Sequence, residues 1–102
     1  MAVIKITGEN FKTEVLGSDK TVLVDFFATW CGPCRMLSPL VEEVANERTD
    51  IKVCKIDVDE NPEIAAQFGI SSIPTLLVFK GGKLVNQGLG FMPKERLLAL
   101  IG

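Results

Sequence analysis

The 102-residue sequence contains no histidine and only three cysteines, at positions 31, 34 and 54. Disulfide-stabilised scaffolds are cysteine-dense, whereas this chain is 47% hydrophobic and has enough apolar material for an ordinary core. A closed zinc site needs four ligands, and with no histidine and one spare cysteine it would require an acidic fourth ligand. The composition therefore argues against a disulfide scaffold and against a structural metal.

Basic clusters and long apolar runs are also missing. The net charge is −2, and acidic and basic residues interleave, so no basic stripe follows a phosphate backbone. The longest apolar runs, such as residues 22–24 and 76–79, are far too short to span a bilayer. The first residues, MAVIKITGENF, lack the pattern of a secretory signal. We expect no nucleic-acid partner, no membrane association and a cytoplasmic location.

The periodicity of apolar residues predicts one domain over residues 1–102, with the element order β-α-β-α-β-α-β-β-α. Residues 21–28 are apolar on both faces, which is typical of a central strand covered on both sides. Gly81 and Gly82 predict a tight hairpin between the last two strands. The predicted strands are 2–6, 21–28, 51–58, 75–79 and 84–88, and the predicted helices are 9–16, 33–47, 62–68 and 93–101.

The order of elements indicates an α/β fold. Strands that alternate with helices pair in parallel, the final hairpin is antiparallel, and helices on both faces of a mixed sheet give the simplest packing. Pro33 suits the first position of its helix, and Pro39 should interrupt and kink the same helix.

Cys31 and Cys34 enclose Gly32-Pro33, and such a pair can bind a metal, stabilise a fold or exchange electrons. A disulfide that closes a four-residue loop stabilises by only about 2 kcal/mol in the entropy model, against about 4.7 for a long loop. Unpaired N–H groups and the positive end of the predicted helix would favour a thiolate at Cys31, which we expect at an exposed helix tip. Cys34, one turn later, would attack the mixed disulfide within the same molecule. We interpret the pair as a redox dithiol.

With this motif placed after a central strand, the sequence resembles the thioredoxin family over essentially the whole chain. The motif is WCGPC, from Trp30 to Cys34. The resemblance implies a thioredoxin-like fold with a central mixed β-sheet of about five strands, flanked by about four α-helices. The other positions that match the family are Asp25, Pro39, Lys55, residues 72–75, Gly82 and Gly90.

The resemblance makes Asp25 a buried carboxylate that pairs with Lys55 and accepts the proton of Cys34. Burial should raise the pKa of Asp25 towards neutrality, and Lys55 should oppose the rise. Read without the family, Asp25 could instead be a hydrogen-bonded structural residue near a strand end. Cys54 lies within a strand, and we expect it to be only a small buried hydrophobic residue.

The family also implies a cis peptide bond before Pro74, and a backbone at Ile73 that pairs with an extended substrate segment. The expected apolar docking rim consists of Trp30, Gly32, Pro33, Ile73, Pro74, Gly90 and Phe91. Phe27 stands where the family usually has tryptophan, so Asp59, the partner expected for that indole, must find another.

These expectations describe a protein-disulfide reductase that acts by thiol-disulfide exchange, with Cys31 attacking and Cys34 resolving. The partners would be disulfide-containing proteins and a separate thioredoxin reductase, since the chain has no Gly-rich dinucleotide fingerprint and we expect no cofactor and no metal. We expect a monomer. One alternative is a binding module or subunit that uses the same apolar surface with incidental cysteines, and another is an oxidant or isomerase.

Overall fold

A computed structural model describes residues 2–102 and confirms the predicted order of elements. The strands are β1 (Val3–Ile6), β2 (Val22–Phe27), β3 (Lys52–Asp57), β4 (Thr75–Lys80) and β5 (Lys83–Leu89). The α-helices are α1 (Gly32–Glu47), α2 (Pro62–Gln67) and α3 (Lys94–Ile101), and a π-helical turn occupies Lys12–Leu16.

The five strands form one sheet in the order β1-β3-β2-β4-β5, which confirms the expected mixed sheet of about five strands. β1 and β2 both pair in parallel with β3, whereas β4 runs antiparallel to both β2 and β5. β2 therefore has a hydrogen-bonded neighbour on each side, and its residues are apolar on both faces because each face packs against a buried cluster.

Alternate residues of β2 face two separate apolar clusters. Leu23 packs with buried residues of α1 and α3, whereas Val22, Val24 and Phe26 pack with the π-helical turn and α2. Because side chains alternate along a strand, Asp25 points to the same face as Leu23. A carboxylate thus lies on the side of the sheet that α1 covers.

The segment predicted as an α-helix over residues 9–16 is instead a single π-helical turn. The N–H of Gly17 donates to the carbonyl of Lys12, five residues earlier, at 2.8 Å. Phe11 and Val15 are both buried in the cluster beneath the turn. The short segment is shaped by this packing, because it is too short for helix propensity to decide its geometry.

Pro39 lies within α1, and the helix continues past it from Gly32 to Glu47. The helix predicted over residues 33–47 is therefore confirmed as one element that contains Pro39, and the kink expected there stays a prediction. The stripe of buried residues on both sides of Pro39 packs against the sheet and keeps the helix in place; its members are Leu37, Val41, Val44 and Ala45. Among residues 2–102, no helix is long and apolar enough to span a membrane.

The Gly81-Gly82 hairpin provides a stability test. Both glycines have positive φ, but a Cβ on Gly81 would meet nothing within 4 Å, whereas one on Gly82 would lie 2.7 Å from the backbone oxygen of Leu16. We expect Gly81→Ala to cost about 1 kcal/mol from its backbone conformation alone. Gly82→Ala should cost about 1–2 kcal/mol more, because a backbone atom cannot easily move aside. Urea unfolding of the two variants measures the difference, and equal losses would contradict the close contact.

Candidate functional site

The first turn of α1 carries the two cysteines. Cys31 caps the helix in an extended conformation, and its Sγ accepts a hydrogen bond from the N–H of Cys34 at 3.2 Å. Pro33 lies within the first turn, where its missing N–H leaves no partner unpaired. The structure shows Cys31 and Cys34 joined as a disulfide, with their Cα atoms 5.3 Å apart. The pair is thus built into one helical turn.

The expectation that Cys31 is exposed is wrong. Only 5% of Cys31 is accessible, and Cys34 is 3% accessible. Both cysteines pack with Ala28 and the partly buried Ile73, and the Sγ of Cys31 lies 3.9 Å from the carbonyl oxygen of Ile73. Because so little of Cys31 is accessible, another molecule can reach this residue only from a narrow range of directions.

Asp25 is buried on the α1 side of the sheet, and its Oδ1 has no hydrogen-bond partner. Burial raises the pKa of Asp25 to about 7, and the positive charge of Lys55 acts in the opposite direction. The unpartnered oxygen argues against the alternative of a hydrogen-bonded structural aspartate.

Lys55 is adjacent to Asp25 in the register of β2 and β3, but the expected pairing of the two side chains is not found. None of the ion pairs between described residues joins them. Lys55 lies on a strand whose residues 52 and 55 are half-buried, so its long side chain can keep the ammonium in water. It therefore affects Asp25 through space.

A cavity of about 270 Å³ connects Asp25 to the dithiol. Asp25, Lys55 and Cys34 all line it, together with Arg35 and Ser38 of α1. A cavity of about 10–15 Å³ can hold one water molecule, so this cavity has room for several water molecules. The cavity is therefore large enough for water to lie between the Cys34 sulfur and the Asp25 carboxyl.

The loop before β4 lies opposite the cysteines, and the Ile73–Pro74 peptide bond is cis, as the resemblance implied. The carbonyl of Pro74 accepts a hydrogen bond from the N–H of Gly90 at 2.8 Å. Gly90 has a φ of 79°, a conformation in which a side chain would be strained, and it leads to the exposed ring of Phe91. The loop and Gly90-Phe91 are thus held together.

Trp30 directly precedes Cys31 in the loop after β2 and is 68% exposed. Its indole N–H donates to the Oδ2 of Asp59 at 2.7 Å. Position 27 is Phe and offers no indole N–H, and Asp59 accepts a hydrogen bond from the indole of Trp30 instead. Phe27 is partly buried and lines the cavity beside the dithiol.

Cys54 lies apart from this site and is fully buried as a free thiol, as expected. Burial raises the pKa of its thiol to about 12, with a smaller opposing effect of Lys52. Across residues 2–102, no three histidine, cysteine, aspartate or glutamate side chains converge as metal ligands would.

Comparison with known proteins gives a consistent result. The family model described as Thioredoxin matches residues 2–102. The chain belongs to the thioredoxin family. It is 54% identical to Thioredoxin 1 of Nostoc sp. over 94% of this chain and 91% of that protein. Thioredoxin of Alicyclobacillus acidocaldarius is 54% identical over 96% of this chain and 93% of its own. Thioredoxin of Mycobacterium tuberculosis is 55% identical over 95% of this chain and 84% of that protein. Together with the Cys31–Cys34 disulfide, membership of the thioredoxin family supports a thiol-disulfide oxidoreductase.

The structure also contains site features that the sequence analysis missed. Arg35 and Ser38 line the cavity, and the carboxylate of Asp57 accepts hydrogen bonds from the N–H groups of Asp59 and Glu60. Aspartate two residues before another polar residue, at the end of a strand, is a sequence signal for such a turn. That signal could have indicated the turn, but not its contact with Trp30.

The buried carboxyl of Asp25 predicts an unusual dependence of stability on pH. Between about pH 4, where the carboxyl ionises in the unfolded chain, and about pH 7, the folded protein retains a proton that the unfolded chain has lost. The free energy of unfolding should therefore fall as pH rises through this range, by at most about 1.4 kcal/mol per pH unit.

Replacing Asp25 tests this dependence. Asp25→Asn should remove its slope, so that the variant becomes progressively more stable than the parent up to about pH 7 and by a constant amount above it. Urea unfolding of the disulfide form from pH 4 to 8 gives the comparison. Asp19→Asn, at an exposed carboxyl, is the matched control and should leave the slope unchanged. Parallel curves for Asp25→Asn and the parent would contradict the raised pKa.

Proposed function

We propose that this protein reduces disulfides in other proteins, with Cys31 as the attacking thiolate and Cys34 as the resolving thiol. The observation that carries the proposal is the disulfide held within the first turn of α1, with Cys31 at the cap. The same turn can hold the dithiol, because N–H groups at a helix start are available to a thiolate and the helix dipole favours negative charge there.

The reaction is two successive exchanges. The Cys31 thiolate attacks one sulfur of the target disulfide, which breaks that bond, releases one target thiolate and forms a mixed disulfide. Cys34 then loses its proton and attacks the Cys31 sulfur, which breaks the mixed bond and releases the second target thiolate. The two electrons of the dithiol pass to the target, and the Cys31–Cys34 disulfide remains.

Asp25 is the proposed acceptor of the Cys34 proton. Its pKa of about 7 allows it to take and return a proton near neutral pH, which a carboxyl of ordinary pKa could not do efficiently. The shared cavity provides the route, and Lys55 on its wall adjusts the proton affinity of Asp25 through space.

The proposed docking surface surrounds Cys31. Trp30, Gly32, Pro33 and Phe91 are exposed, and Ile73 and Gly90 are partly exposed. Pro74, which was also expected on this surface, is buried. In this proposal an extended target segment pairs with the backbone at Ile73, and the apolar side chains contact it without selecting a sequence. Backbone pairing suits a protein that must accept many targets.

The proposed electron donor is a separate thioredoxin reductase, and the proposed targets are disulfide-containing proteins. A reductive role needs a compartment where thiols are kept reduced, and we propose the cytoplasm. On this proposal the protein acts as a monomeric electron carrier, because both partners must use the same small surface around Cys31 in turn.

Single cysteine variants test the proposed roles. Cys34→Ser should accumulate mixed disulfides with an oxidised protein such as insulin, because Cys31 can attack but nothing resolves the product. Cys31→Ser should form few, and non-reducing electrophoresis shows the difference. With the parent, NADPH and a thioredoxin reductase should drive continuous insulin reduction. If Cys34→Ser traps nothing and a double cysteine variant retains full cellular activity, the binding-module alternative is correct.

Equilibration with glutathione distinguishes a reductant from an oxidant or isomerase. In a buffer poised at about −240 mV, a reductant should be mainly in the disulfide form, since its dithiol gives up electrons readily. An oxidant would remain mainly as the dithiol in the same buffer. Acid quenching followed by thiol alkylation and mass spectrometry measures the two forms. Cys54 is a free thiol in both forms, so its alkylation provides an internal standard for the reaction.

A further inference from the structure

The side chain of Trp30 is large, exposed and attached to the residue before Cys31. With 68% of it accessible, packing constrains the ring little. The hydrogen bond from its indole N–H to Asp59 is the polar contact that the structure gives it, at 2.7 Å and across 29 residues of sequence. An exposed indole without such a bond could occupy several staggered rotamers.

Asp59 is itself held by the turn that follows β3. The buried carboxylate of Asp57 accepts hydrogen bonds from the N–H groups of Asp59 at 2.9 Å and Glu60 at 3.3 Å. The side chain and the backbone N–H of Asn61 both donate to the carbonyl of Asp57 at 3.0 Å. The N–H of Val58 donates to the carbonyl of Phe27 on β2 at 2.9 Å. The carboxylate that meets Trp30 is thus fixed to the sheet.

A hydrogen bond to an ionised acceptor is stronger than one between neutral groups and has a preferred direction. The bond between Trp30 and Asp59 therefore connects a mobile ring to a rigid turn. Since Cys31 is only 5% accessible, the position of the adjacent ring affects how closely a target can approach its sulfur.

We propose that Asp59 is a positioning residue, which orients Trp30 on the docking surface and thereby strengthens binding of protein disulfides. The proposal rests on the proposed function and deepens it, because it assigns part of target affinity to a residue that touches neither cysteine. Asp59 acts during target binding and not during thiol-disulfide exchange. Replacing Asp59 should therefore leave the reduction rate of small disulfides, which need no docking surface, unchanged.

The first test measures the ring directly. Trp30 is the only tryptophan and the chain has no tyrosine, so ultraviolet fluorescence reports on this side chain. Asp59→Ala should lower the fluorescence anisotropy by freeing the ring, and it should speed hydrogen exchange of the indole N–H. Asp59→Asn retains an acceptor oxygen and should restore part of both signals. Glu60→Ala is the matched control: it removes the same charge from the same turn, but Glu60 pairs with Lys5.

The second test measures docking. With a thioredoxin reductase and NADPH, Asp59→Ala should raise KM for insulin about fivefold with little change in kcat, as expected for loss of one modest interaction. The rate with a small aromatic disulfide should stay within about twofold of the parent. Glu60→Ala should match the parent in both assays. Urea unfolding of each variant shows whether the fold is retained.

Unchanged Trp30 signals in Asp59→Ala would overturn the proposal, and so would a freed ring with an unchanged KM for insulin. Equal effects of Glu60→Ala and Asp59→Ala also overturn it, because they would show a general charge effect. If the parent itself reduces neither disulfide, the proposed function fails, and the docking role fails with it. That result is distinguishable, because it appears in the parent before any change at Asp59.

Discussion

The packing of α1 against the sheet determines where its first turn lies, and the redox site depends on that position. Leu37, Val41 and Val44 bury one side of the helix in the cluster shared with α3 and the sheet. The helix begins a few residues after β2 ends, so its N-terminus projects at that edge of the sheet. Cys31 therefore meets the loop before β4, and the sulfur next to Ile73 is in place before any target arrives.

The same packing places Asp25 in an environment that opposes its ionisation. A carboxyl beneath an apolar helix lowers stability above its unfolded pKa, because ionising it without a hydrogen-bond partner is unfavourable. The cavity that Asp25 lines has room for water molecules beside the group. The fold thus gives up some stability to hold a carboxyl whose pKa is near neutral, which is the property that the proposed proton acceptor needs.

The surface around Cys31 is assembled from separate parts of the chain. Trp30 comes from the loop after β2, Ile73 from the loop before β4, and Phe91 from the segment after β5. Each is held by a different contact: Trp30 by its indole hydrogen bond to Asp59, Ile73 by packing against the cysteines, and Phe91 by the hydrogen bond from the adjacent Gly90 to Pro74. Such a surface can remain apolar and exposed and still have a defined shape, because polar contacts at its edges hold the backbone and one ring.

The sequence alone was sufficient for the order of elements, the mixed sheet, the Gly81-Gly82 hairpin and the Cys31/Cys34 pair, because these follow from local periodicity, turn chemistry and spacing. The sequence did not predict the π-helical turn, the burial of Cys31, or the hydrogen bond from Trp30 to Asp59. It also did not predict that none of the ion pairs between described residues joins Lys55 to Asp25. Each of these depends on distances between segments remote in sequence, and only the packed structure sets those distances.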